Sequence, residues 1–289
     1  MSAAPRLFPG ADGHALAASV EGAGRPVLML HGGGQTRHAW RKTGHDLAKA
    51  GFMAVRLDQR GHGDSPWDEA GRYHFFDYGR DAAAVARALR AETGLAPIAI
   101  GASLGGIAAL LAQEAEPGLF AGLVLVDVVP GMNLEGLKKV RDFMRAHLED
   151  GFGSVEAAAD AIATYLPHRE KPRSLEGLRK NLRLRPDGRY HWHWDPRFQL
   201  GENGIESRRA ELIAAATAAA QRVDVPCLLV RGGQSELVGE AEAKAFLALV
   251  PHAEWVDVAD AAHMVAGDRN DAFGDALMAF LTKRFVLET

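Results

Sequence analysis

Residues 98–106 read IAIGASLGG, and few backbone geometries accept that string. A β-rich apolar run, Ile98–Ile100, meets a turn of small residues around Ser103, and an apolar helix, Ile107–Leu111, follows at once. A strand that becomes a helix over so few residues crowds its own backbone. Small neighbours at Gly101 and Gly105 relieve the crowding, and the side chain of Ser103 is forced outward. The helix N-terminus behind it adds free N–H groups and a partial positive charge. In a chain with 32 glycines the spacing alone is weak. The strand–turn–helix context is what makes Ser103 a candidate nucleophile.

The rest of the chain repeats the same rhythm. Short β-rich runs at Val27–Leu30, Phe52–Leu57, Leu123–Val126, Cys227–Val230 and Trp255–Val258 alternate with stretches of helical spacing. Tyr78, Ala82, Val85 and Leu89 fall on one helical face, as do Phe273, Leu277, Phe280 and Leu281. Continuous apolar strands between amphipathic helices predict an α/β fold with a mostly parallel central sheet covered on both faces. His14–Val20 predicts an antiparallel strand at the start.

The rhythm breaks between about Pro130 and Val223. Leu137, Val140, Met144 and Leu148 make one helical stripe, and Val155, Ala158, Ile162 and Tyr165 make another. A basic, aromatic stretch and an Ala-rich helix near Ala210–Gln221 follow. The expected organisation is a core of residues 1–130 and 223–289, with residues 131–222 as a helical cap over the sheet.

Bulk properties narrow the partners. A length of 289 residues fits one enlarged domain with an insertion, and 47% hydrophobic residues can fill its core. The net charge of -4 argues neither for a nucleic-acid groove nor for a polybasic membrane patch, so neither nucleic acid nor membrane is an expected partner. No apolar run suits a signal peptide or a bilayer span. The single cysteine, Cys227, excludes an internal disulfide framework and suits a reducing cytoplasm. Within PCLLV it reads as a buried strand residue. The expected partner is a small-molecule substrate, and no oligomeric state follows from the sequence.

A serine hydroxyl needs a base, and the base needs an orienting acid. His263 lies after the last predicted strand and before the final helix, where a base for Ser103 should sit. The expected acid is Glu236, in the loop after CLLVRGG. The competing candidate is Asp127, whose charge at the end of the apolar strand GLVLVDV is costly unless paired. Leu30-His31-Gly32-Gly33-Gly34 also follows a strand and lets backbone approach a substrate. The amides of Gly33 and Leu104 are the expected oxyanion donors. The glycine run has neither a GK[ST] ending nor GxGxxG spacing, which argues against a phosphate loop.

With these residues assembled, the sequence resembles the α/β-hydrolase superfamily, specifically its capped esterase, lactonase and C–C hydrolase group. The matching pieces are HGGGQTRHAW (31–40), DQRGHGDS (58–65), GASLGG (101–106), VRGGQSELV (230–238) and AAHMVAGD (261–268). They run in the family's order and cover the core but not the cap. The resemblance implies Ser103 and His263 as the catalytic pair and Gly33 and Leu104 as oxyanion positions. It gives Asp58, Arg60 and Asp64 a structural turn and no catalytic role. Glu236 departs from the aspartate more usual in the family. Haloalkane dehalogenases and epoxide hydrolases of this fold require an aspartate nucleophile, so serine at 103 closes that route.

In the cap, Tyr165, Trp192, Trp194 and Phe198 are candidate pocket residues, with aromatic packing of cap on core as the competing reading. Alternation along Tyr190–Trp194 sets His191 and His193 on one face and the two tryptophans on the other. A metal there lacks a third ligand nearby. The basic residues around Arg169–Arg189 read as a solvated face, with a site for an anionic substrate as the alternative. The expected activity is hydrolysis of a carboxylic ester or lactone by acyl transfer, with no metal or organic cofactor. Two rivals remain: a C–C bond hydrolase acting on a β-diketone-like substrate, and a nearly inactive ligand receptor on the same fold.

Overall fold

In the computed structural model, which describes residues 4–165, 174–259, 261–263 and 270–285, the apolar runs form one eight-stranded sheet. The strands are β1 (Arg6–Pro9), β2 (Ala15–Glu21), β3 (Pro26–Leu30), β4 (Met53–Leu57), β5 (Ile98–Ala102), β6 (Gly122–Val126), β9 (Cys227–Gly232) and β10 (Glu254–Val258). Their order is β1-β2-β4-β3-β5-β6-β9-β10. The β1–β2 and β2–β4 pairs are antiparallel and every other pair is parallel.

Successive side chains on a strand point to opposite faces, and both faces are covered. Leu28, Leu30, Val55, Ala99 and Leu125 pack against α2 (Phe75–Thr93), α3 (Leu104–Ala115), α8 (Arg209–Gln221) and α9 (Glu240–Leu249). Val27, Met29, Ile100, Val124 and Val230 pack on the other side against α1 (Arg41–Lys49) and the final helix, α10 (Asn270–Phe285). The expected faces of α2 and α10 are the buried ones. Cys227 is buried in β9, and burial pushes its thiol up to about 12, so it stays protonated at neutral pH. Among the described residues no helix is long and apolar enough to cross a membrane.

Three features depart from the expected layout. β1 was not foreseen, because Phe8 alone among its four residues is buried. Residues 131–222 are not all helical. Besides α4 (Leu134–Arg145), α5 (Val155–Tyr165), α6 (Glu176–Arg179) and α7 (Arg197–Leu200), they hold an antiparallel pair, β7 (Leu182–Leu184) and β8 (Tyr190–Trp192). Finally, α8 packs on α3 in the main core through Ala216, Ala219 and Ala220, although it falls inside the 131–222 range.

The turn after β4, DQRGHGDS, is fastened by buried charge. The Arg60 guanidinium, 0% exposed, donates to both Asp81 oxygens of α2 at 2.6 and 2.8 Å. Asp58 accepts from the Arg37 and Asp64 amides at 2.6 and 2.9 Å and pairs with the Arg37 guanidinium. Removing one partner of a buried pair strands the other charge. Asp81→Asn is therefore expected to lower unfolding free energy by about 3–5 kcal/mol in urea titration. A loss under about 1 kcal/mol would mean that the pair carries no such weight.

Candidate active site

Ser103 links β5 to α3 with φ 46° and ψ -112°, a strained region for a residue with a side chain. The flanking glycines explain how the chain tolerates it. A Cβ on Gly101 would overlap the backbone of Gly105, and a Cβ on Gly105 would overlap the Leu30 carbonyl of β3. Backbone meets backbone on both sides of Ser103, so the sequence needs glycine at both positions. The Ser103 carbonyl accepts from the Gly106 and Ile107 amides at 3.1 and 3.2 Å and so opens the helix.

Asp127 follows β6 directly and is also held at positive φ, 50°. Its side chain is fully buried. Oδ1 accepts from the Gly232 amide at 2.9 Å, while Oδ2 accepts from the Ser235 hydroxyl at 2.6 Å and from His263 Nδ1 at 2.7 Å. A carboxylate accepts only, so Nδ1 carries the proton and, in the neutral ring, Nε2 is left bare.

This corrects the expected acid: Asp127, not Glu236, is the carboxylate on His263. The cause lies in the loop after β9. The Ser235 hydroxyl turns toward Asp127 and also accepts from the Leu237 and Val238 amides at 3.1 and 3.2 Å. That tight turn leaves Glu236 on the cavity wall, where it accepts from the Tyr165 hydroxyl at 3.4 Å. Burial, and then the negative charge of Glu236, raise the Tyr165 phenol above its usual range. The signal for Asp127 was present in the sequence as a charged residue ending an apolar strand.

Next to Ser103 lies the glycine loop after β3. The Gly32 amide donates to Gln35 Oε1 at 3.0 Å and the Gly34 amide to His62 Nε2 at 3.1 Å. Between them, the Gly33 N–H makes no hydrogen bond among the described residues. Leu104 is the first residue of α3, where an N–H has no partner within the helix. Both residues, with Ser103 and His263, line one cavity of about 680 Å³.

The opposite wall comes from residues 131–222. Tyr165, Trp192, Trp194 and Phe198 all line the cavity, and the same rings pack together. Tyr165 stacks on Phe143 at 4.3 Å, Trp192 meets Phe152 edge-on at 5.0 Å, and Phe198 meets His62 edge-on at 4.9 Å. Lining and packing are thus two aspects of one aromatic layer. Neither His191 nor His193 lines this cavity: His191 Nε2 faces Asp187 at 2.8 Å and His193 Nδ1 faces the Lys180 carbonyl at 3.4 Å. Arg169 and the final five residues of AAHMVAGD lie outside the described residues.

The comparisons agree with this architecture. The family described as alpha/beta hydrolase fold matches residues 25–269, and the chain belongs to it. Esterase Rv0045c of Mycobacterium tuberculosis is 28% identical over 263 residues, covering 89% of this chain and 83% of its own. The 2-(acetamidomethylene)succinate hydrolase of Mesorhizobium japonicum is 30% identical over 223 residues, 74% of this chain and 73% of its own. A crystal structure of E-2-(acetamidomethylene)succinate hydrolase superposes with a TM-score of 0.81 at 23% identity, covering 96% of this chain and 98% of that one. That likeness concerns the fold. The relatives' names place the chain among hydrolases.

Burial also gives the site a pH signature. It pushes the imidazoles of His31 and His62 down to about 4 and about 3, from the usual 6.5. Both therefore stay neutral while an unfolded chain would take up protons. Their stability contribution is complete above about pH 6.5 and falls as pH drops toward 4 and 3. The loss approaches about 1.4 kcal/mol per pH unit for each ring. Urea midpoints measured from pH 7 to 4.5 should show His62→Phe with a shallower slope than wild type. Equal slopes would contradict the burial of a neutral His62.

Proposed function

We propose that this chain hydrolyses a carboxylic ester or lactone by two-step acyl transfer through Ser103, His263 and Asp127. The observation that carries the proposal is the 2.7 Å contact from His263 Nδ1 to a fully buried Asp127, with His263 lining the same cavity as the strained Ser103. His263 Nε2 takes the Ser103 proton as Oγ attacks the carbonyl carbon, and negative charge develops on the carbonyl oxygen. The Gly33 and Leu104 amides receive that charge. The intermediate collapses to an acyl-serine as His263 protonates the departing alcohol. Water then gives a proton to His263 and attacks the acyl carbon. Collapse of the second intermediate returns the proton to Ser103 and frees the acid. Asp127 fixes the imidazole tautomer and stabilises its protonated form.

The aromatic and aliphatic lining of the cavity supports a substrate with a bulky apolar portion. The hydrolase and esterase names of the relatives support the reaction class. Residues 131–222 act in this reading as the specificity wall, because the reacting groups all lie outside them.

Steady-state kinetics on a panel of esters, lactones and a β-diketone test the assignment. Ser103→Ala is expected to lower kcat by about a million-fold, as for a nucleophile that works as a unit with its base. Asp127→Asn is expected to cost about ten-thousand-fold. Glu236→Gln should chiefly change KM and the ranking of substrates. If folded Glu236→Gln loses more kcat than folded Asp127→Asn, the acid assignment is wrong. Turnover of the diketone alone would replace ester hydrolysis by C–C cleavage.

A further inference from the structure

We propose that His31 and His62 form a reciprocal lock that orients the Gly33 amide, and that His62 is thereby a positioning residue for acyl transfer. The inference rests on the reaction proposed above.

β3 and β4 run parallel with Leu30 opposite Leu57, so the two loops that follow leave the carboxyl end of the sheet side by side. Each loop carries one buried histidine, and the two ring centroids are 5.1 Å apart. His31 Nδ1 faces the Gly32 carbonyl of its own loop at 2.8 Å, and its Nε2 accepts from the Gln59 amide of the other loop at 3.1 Å. His62 repeats the pattern in reverse. Its Nδ1 faces the Arg60 carbonyl of its own loop at 3.0 Å, and its Nε2 accepts from the Gly34 amide at 3.1 Å. A carbonyl only accepts, so each ring must carry its proton on Nδ1 and leave Nε2 bare. A further bond, from Gln59 Nε2 to the His31 carbonyl at 2.6 Å, crosses the same gap.

The bonds act on the peptide units on either side of Gly33. In a trans peptide the carbonyl and the following N–H point in opposite directions within one plane. The Gly32 carbonyl is held by His31 Nδ1–H and by the Gln35 amide at 3.1 Å, so the Gly33 N–H in that plane is directed the other way. The next unit is held through the Gly34 N–H by His62. Three consecutive glycines would otherwise leave these planes free to turn. Neither ring is exposed to water, so solvent does not compete for the bonds. His62 also meets Phe198 and Trp194, which line the substrate cavity, at 4.9 and 6.4 Å between ring centroids. The ring that holds the glycine loop is therefore itself held by the specificity wall.

A role in packing alone and a role in positioning separate experimentally. His62→Phe keeps a ring but removes the acceptor, whereas His62→Gln loses the ring but offers an amide oxygen to the Gly34 N–H. On an ester that the wild type turns over, His62→Phe is expected to lower kcat by about tenfold to a hundredfold with KM within about threefold. Inhibition by a phenylboronic acid, whose serine adduct is tetrahedral, should weaken in parallel. His62→Gln should recover much of the lost kcat. A folded His62→Phe with wild-type kcat overturns the lock and leaves the acyl-transfer reading standing. So does a loss that His62→Gln fails to reduce. If His62→Phe does not fold, imidazole 15N shifts of the wild type at pH 7 decide instead. Nδ1–H with bare Nε2 supports the lock, and the reverse tautomer overturns it. Absence of any ester turnover by the wild type would defeat the acyl-transfer reading, and the tautomer measurement would still judge the lock.

Discussion

A carboxylate cut off from water keeps its charge only where donors surround it. Asp127 meets that demand with three donors that come from separate parts of the chain. Gly232 ends β9, Ser235 belongs to the loop beyond it, and His263 lies past β10. Satisfying one buried charge thus ties the end of β6 to the end of β9 and to the segment that carries the imidazole. The tie also sets the tautomer of His263. With Nδ1–H committed to Asp127, Nε2 is the nitrogen free to take a proton. The positive φ of Asp127 belongs to the same constraint, because it turns the side chain out of the strand register at the carboxyl end of β6.

The opposite half of the site rests on close approach of backbone. Ser103 keeps its strained conformation because Gly101 and Gly105 let β5, α3 and the end of β3 meet without side chains between them. The glycine loop after β3 is then fixed from outside by His31, His62 and Gln35. Ser103 and the glycine loop both face the cavity. The surrounding layers supply rigidity: apolar burial on both faces of the sheet, and the Arg60–Asp81 and Arg37–Asp58 pairs in the turn after β4.

Much of this was legible in the sequence. Strands buried on both faces must be continuously apolar, and helices that cover them must show one apolar face, so β3–β6, β9, α2 and α10 announced themselves, while β10 showed only as a short β-rich run before the final helix. β1 did not, because an edge strand with one buried residue carries almost no pattern. The β7–β8 pair has three-residue strands within an arginine-rich stretch, and β8 is steadied by a bridge from Tyr190 to Phe152, a distant residue. α8 could not be told from an insertion helix, since its alanines look alike whether they meet α3 or another surface. The choice between Asp127 and Glu236 turned on the direction of the Ser235 hydroxyl and on a positive φ at Asp127. Both are products of tertiary packing, and no local pattern encodes them.

In the proposed reaction Ser103 carries the acyl group between two half-reactions. Rapid quenching of the protein with a slowly deacylating p-nitrophenyl ester, followed by peptide mass mapping, tests it directly. A burst of p-nitrophenol stoichiometric with protein is expected, with an acyl mass increment on the peptide holding Ser103, at that residue. Steady turnover with no covalent adduct, or an adduct on any other side chain, would contradict it.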